Sequence, residues 1–214
     1  MAAKILTLGT ALAMWFAVAP AVRIADASSR CRPTGAKAVT ANRHVVVYKR
    51  RGEVYGCHRR SRRVTKLTPP SRVPDYYTLG TWRLAGTMVA YVATRHIYSG
   101  SQSRNGPLKH QEVVVRDLRT RTVSRHLAGA EEALASWFDG DGVRDLAITR
   151  RGTLAWIIRN PEAQPRTLQL YLADRRGRQL LDAGDGIDTR SLRLDDTLVR
   201  WSHGSEPRSA PVEP

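Results

Sequence analysis

The chain has 214 residues, 35 Lys+Arg against 19 Asp+Glu, and a formal charge of +16 at pH 7. That length holds one ordinary domain or one compact repeat array, and 42% hydrophobic with 25% charged residues excludes both a disordered chain and a multi-span membrane protein. Two cysteines rule out a multi-bridge miniature scaffold and an all-cysteine zinc site, and none of the HExxH, P-loop, GxGxxG, GxSxG or SxxK signatures is present.

Residues 1–27 read as a secretory signal. Lys4 gives the positive start, Ile5 to Ala21 is the apolar run, and Ala25-Asp26-Ala27 is a small-x-small cleavage pattern. Cleavage is expected before Ser28, with Ala19-Pro20-Ala21 as a second acceptable site. No further hydrophobic span follows, so the expected product is an exported protein, extracellular or periplasmic, without a membrane span. Cys31 and Cys57 are then the one available pair in an oxidising compartment, and we expect them to be bridged. Their spacing is not that of a redox CxxC.

Four strand-rich units follow, over residues 36–68, 77–127, 143–183 and 187–212. Trp82-Arg83-Leu84-Ala85-Gly86-Thr87-Met88-Val89-Ala90-Tyr91 aligns without a gap on Leu192-Arg193-Leu194-Asp195-Asp196-Thr197-Leu198-Val199-Arg200-Trp201. Leu146 to Trp156 is a third copy, and a reduced one ends at Val45-Val46-Val47-Tyr48. Each is a strand, a Gly or Asp turn, and a strand ending in an aromatic residue. Two more strands follow each of the first three aromatics, among them Glu112 to Leu118 and Leu168 to Asp174, where Leu168, Leu170 and Leu172 alternate as in a half-buried strand. The first unit lacks a clear opening strand, and the last has at most three. Tyr48, Tyr91, Trp156 and Trp201 are expected in the core.

A repeat of about 45 residues with four short strands is the requirement of a propeller blade. The pattern resembles the β-propeller repeats of TolB-type and WD-type proteins, as in small secreted propeller-like bacterial proteins. That resemblance implies an all-β, small or partial propeller-like array and a scaffold that binds a ligand or partner. It transfers no catalytic residue. Either the terminal units complete one another's sheets or the array stays open.

The densest charge lies between Arg43 and Lys66, where Arg50, Arg51, Arg59, Arg60, Arg62 and Arg63 are opposed by Glu53 alone. The planar guanidinium fork suits phosphate, sulfate and carboxylate, so these six residues are the candidate polyanion-binding set. Anionic wall polymers, acidic lipids, acidic polysaccharide and released nucleic acid are the candidate partners, and another protein is an alternative. A generic solvated basic surface is the competing reading. Base-specific nucleic-acid recognition is not expected, since no recognition helix or zinc-finger spacing is present.

Phe138 to Leu146 resembles the calcium loop of FG-GAP repeats, with Asp139, Asp141, Gly142, Asp145 and Leu146 at matching positions and Trp137 where the first ligand belongs. The resemblance implies Asp139, Asp141 and Asp145 as a calcium site, against a plain Gly-rich hairpin turn. No cofactor is otherwise expected. The expected function is a non-enzymatic binding module, with a calcium-supported adhesion module and an exported hydrolase with a dispersed site as rivals.

Overall fold

The computed structural model describes residues 31–70, 75–98, 108–129, 142–159 and 167–213. The expected signal segment lies outside them. Among the described residues there is no helix, and none that is long and apolar enough to cross a membrane.

Among the described residues, fifteen strands form four antiparallel sheets, each in simple up-down order. The first sheet holds β1 (Lys37–Ala41), β2 (Val45–Arg50), β3 (Glu53–His58) and β4 (Arg63–Lys66). The second holds β5 (Tyr76–Ala85), β6 (Met88–Ile97), β7 (Leu108–Asp117) and β8 (Val123–Leu127). The third holds β9 (Val143–Ile148), β10 (Leu154–Arg159), β11 (Leu168–Asp174) and β12 (Gly177–Gly184). The fourth has β13 (Arg193–Leu194), β14 (Leu198–His203) and β15 (Glu206–Pro211).

The sheets are stacked in chain order because their central strands are apolar on both faces. On β10, Leu154, Trp156 and Ile158 pack with Ala90, Val113 and Val115 of the second sheet. The alternate residues Ala155 and Ile157 pack with Val199 and Trp201 of the fourth. On β2, Val45 and Val47 face Val89, Tyr91 and Val114, while Val46 and Tyr48 turn outward to a small cluster with Cys31 and Cys57. The expected disulfide is present, with Cα atoms 5.6 Å apart, and the segment it anchors caps the outer face of the first sheet.

β11 corrects the half-buried reading. Leu168, Leu170 and Leu172 join one core, and Tyr171 and Ala173 join the other, so the strand is buried on both sides. β1 supplies the opening strand that the sequence hid. Its KAVTA run is almost wholly exposed, and backbone pairing with β2 holds it rather than an apolar pattern.

The repeated aromatics serve as latches between sheets as well as core. The Tyr91 hydroxyl donates to Leu67 O at 3.2 Å, and the Trp156 indole donates to Ala128 O at 2.8 Å. The Trp201 indole donates to the Asp182 carboxylate at 2.6 Å. In each case an aromatic on the second strand of a sheet reaches the outer strand of the preceding sheet or the residue just beyond it. A buried Tyr or Trp needs a partner for its polar tip, and the same place in the repeat satisfies that need three times.

Among the described residues, none of the four core clusters joins the first sheet to the last, and no sheet closes the array. The outer edge of the three-stranded sheet is blunted. Val212 N donates inward to Thr197 O, so by strand alternation Pro207, Ser209 and Pro211 present their nitrogens outward, where two of the three have no hydrogen to offer.

Candidate anion-binding cleft

Up-down order places alternate connections at opposite ends of the stack. One end, here the turn end, carries the links β1–β2, β3–β4, β5–β6, β7–β8, β9–β10, β11–β12 and β13–β14. The Asn42 amide donates to Gly86 O at 3.0 Å, the Arg150 stem lies over Gly86, and Arg175 N donates to Glu213 O, which ties these links together across all four sheets.

One device recurs in five of these seven turns. A short polar side chain where the strand ends accepts the backbone N–H two residues on, and this folds the chain back. Asn42 takes His44 N at 2.8 Å, Asp117 takes Arg119 N at 2.8 Å, and Thr149 takes Arg151 N at 3.2 Å. Asp174 takes Arg176 N at 2.9 Å and Asp195 takes Thr197 N at 2.9 Å. Of the residues in between, Leu118 turns into the core, while Arg43, Arg150, Arg175 and Asp196 are exposed. Arg62 and Arg121 also hold left-handed backbone, with φ of 56° and 71°, where Gly or Asn is the unstrained choice.

A cleft of about 540 Å³ opens between turns of the second and third sheets, with Glu213, just past β15 of the fourth, beside them. Arg119 comes from the β7–β8 turn, Arg150 and Arg151 from β9–β10, and Arg175 from β11–β12. Met88, Gly152 and Ala173 form an apolar floor, and Ser124 and His126 form a wall on β8. The two carboxylates at the rim are already engaged. Asp174, with a side chain 0% exposed, receives Arg176 Nη2 at 2.7 Å, Gln179 Nε2 at 3.1 Å and Glu213 N at 3.1 Å. Burial opposes its ionisation, but these donors outweigh burial and hold its carboxyl below the ordinary range. Glu213 lies 3.7 Å from the same Arg176. Among the described residues, the guanidinium groups of Arg150, Arg151 and Arg175 make no hydrogen bond or ion pair.

The His126 imidazole shares a 2.9 Å hydrogen bond with Ser124 Oγ and sits tilted against Trp156. Burial, and then the nearby Arg178, lower its pKa, so it is neutral at pH 7. Among the described residues it makes no hydrogen bond to a carboxylate. The arrangement is suited to holding an anion.

The six arginines singled out from the sequence fall at two ends of the stack. Arg59, Arg60, Arg62 and Arg63 lie at the turn end, and Arg59 Nε is committed to Asn42 O at 3.0 Å. Arg50 and Arg51 lie in the β2–β3 turn at the opposite end, about 20 Å away along β3. Asp139 and Asp141 lie outside the described residues. Asp145 is on β9, where it pairs with Arg83 at 2.6 Å and accepts Leu146 N at 2.8 Å. No group of three metal-binding side chains occurs among the described residues.

The cleft arginines were not singled out from the sequence. The available signal was Asp/Thr-x-Arg at strand ends, as in Asp117-Leu118-Arg119, Thr149-Arg150-Arg151 and Asp174-Arg175-Arg176. No family model and no curated protein matches the chain.

Proposed function

We propose that this protein is an exported, non-enzymatic module that binds anionic polymers through its turn end. The observation that carries this reading is the cleft in which arginines from three turns converge, with the guanidinium groups of Arg150, Arg151 and Arg175 making no hydrogen bond or ion pair among the described residues. Arg60, Arg62 and Arg121 extend the same face beyond the cleft. The disulfide supports export to an oxidising compartment. We read the stack as an open partial propeller. The first strands β5, β9 and β13 lie beside one another, as inner blade strands do, and the turn end corresponds to a blade face where propellers present connecting loops.

Binding to a polyanion such as heparin or poly(glycerol phosphate), measured over a salt series, tests the proposal. A linear fall of log K with log[salt] between about 50 and 200 mM is expected, shallower once Arg60, Arg62, Arg119 and Arg121 become glutamine. Absence of saturable binding at the lowest salt overturns it.

A further inference from the structure

We infer that the cleft is a discrete subsite for a tetrahedral ester oxyanion carried on a carbon skeleton, a phosphodiester or sulfate ester, and that it discriminates against polycarboxylates of equal charge. This rests on the anion-binding reading above and deepens it.

Three features of the cleft lead to this ligand class. First, the arginines enter from three separate turns, so their forks approach from several directions. A carboxylate offers two coplanar oxygens, which one guanidinium satisfies. A tetrahedral oxyanion directs its oxygens over a wider solid angle and matches convergent donors. Second, the rim carboxylates Asp174 and Glu213 are held by Arg176 from outside the lining, so Arg119, Arg150, Arg151 and Arg175 leave an excess of positive charge inside. Third, the floor of Met88, Gly152 and Ala173 is apolar, and about 540 Å³ accommodates a ligand of saccharide size. An ion such as inorganic polyphosphate presents no carbon surface to that floor. A polyol or sugar joined through ester oxyanions presents both. Ser124 Oγ adds a neutral hydroxyl to the wall.

The test uses short oligomers matched in charge: oligo(glycerol phosphate), a sulfated oligosaccharide, oligogalacturonate and inorganic polyphosphate. Titration calorimetry is run on the parent protein, on the Arg150→Gln/Arg175→Gln variant, and on Arg50→Gln/Arg51→Gln, which loses the same charge at the far end. Glutamine keeps most of each stem, and a thermal melt confirms that each variant folds. The expected result is preference for the ester-bearing oligomers by about tenfold, lost in the cleft variant and kept in the far-end variant. The first two oligomers tell the phosphate and sulfate sources apart, and preference for either supports the inference. Equal affinity for all four ligands, or equal loss in the two variants, overturns the subsite while leaving general polyanion binding intact. No binding by any oligomer or polymer removes both.

Discussion

Trp156 combines full burial with one hydrogen bond, from its indole to Ala128 O at 2.8 Å. Trp156→Phe keeps a large ring but leaves that buried carbonyl unpaired, so the expected loss in urea unfolding is about 1–3 kcal/mol. Trp156→Ala adds a cavity and is expected to lose about 3–5 kcal/mol. A loss in the phenylalanine variant no larger than that of a surface substitution contradicts the latch. Two histidines set the response to pH. His96 and His126 both lie below the ordinary imidazole range, through burial first and then through Lys109 and Arg178 respectively. Their unfolded forms take up protons first, so stability present at neutral pH is lost as pH falls through about 6.5 towards the folded values. The melting temperature is therefore expected to decline from pH 7 to pH 5, and less steeply in His126→Gln. An unchanged slope in that variant contradicts the assignment. Asp174 and Asp182, both held below the carboxylate range, contribute stability that is lost only lower, as pH drops below about 4. In the sequence the core aromatics were legible from their repetition. Their hydrogen-bond partners were not, because each lies 19 to 28 residues upstream on the neighbouring sheet.

At the level of elements, alternation revealed strands wherever one face or both are apolar, as in β6, β10 and β14. It could not reveal β1, whose exposed residues carry no pattern and whose place is set by pairing with β2. Nor could it tell that β11 is sandwiched, since Tyr171 and Ala173 interrupt the leucines with side chains equally able to face a core. The turns were legible as turns. Their ability to present arginine depends on Asx-type caps that become meaningful only when several strand ends lie side by side. The outer edge of β15 is an element-scale prediction. Pro207 and Pro211 remove outward N–H groups from the edge of a sheet that has only three strands. Pro207→Val/Pro211→Val restores them and is expected to produce concentration-dependent association in sedimentation experiments, since an open edge is a template for another strand. Sedimentation identical to the parent contradicts the view that the prolines guard this edge.

Over the whole molecule, the four all-β units and the Cys31–Cys57 bridge could be read from the sequence, while the geometry of the charge could not. Arg50 to Arg63 is continuous in sequence, yet β3 carries its two halves to opposite ends of the stack. Arg119, Arg150 and Arg175 are scattered in sequence, yet the up-down order of two neighbouring sheets brings them into one cleft. Charge density along a chain is thus a poor guide to charge density on a repeat scaffold, where the link positions decide which residues meet. The asymmetry of the stack follows from the same order. One outer face is capped by the bridged segment, and the far sheet ends in a proline-guarded edge, so the connecting turns are left as the broad basic surface. The most direct test of the account is hydrogen-exchange footprinting of the protein with and without saturating poly(glycerol phosphate). The account predicts slowed exchange in residues 117–122, 149–153 and 174–177, with residues 50–53 unaffected. Protection centred on residues 50–53, or none at the three cleft turns, would contradict it.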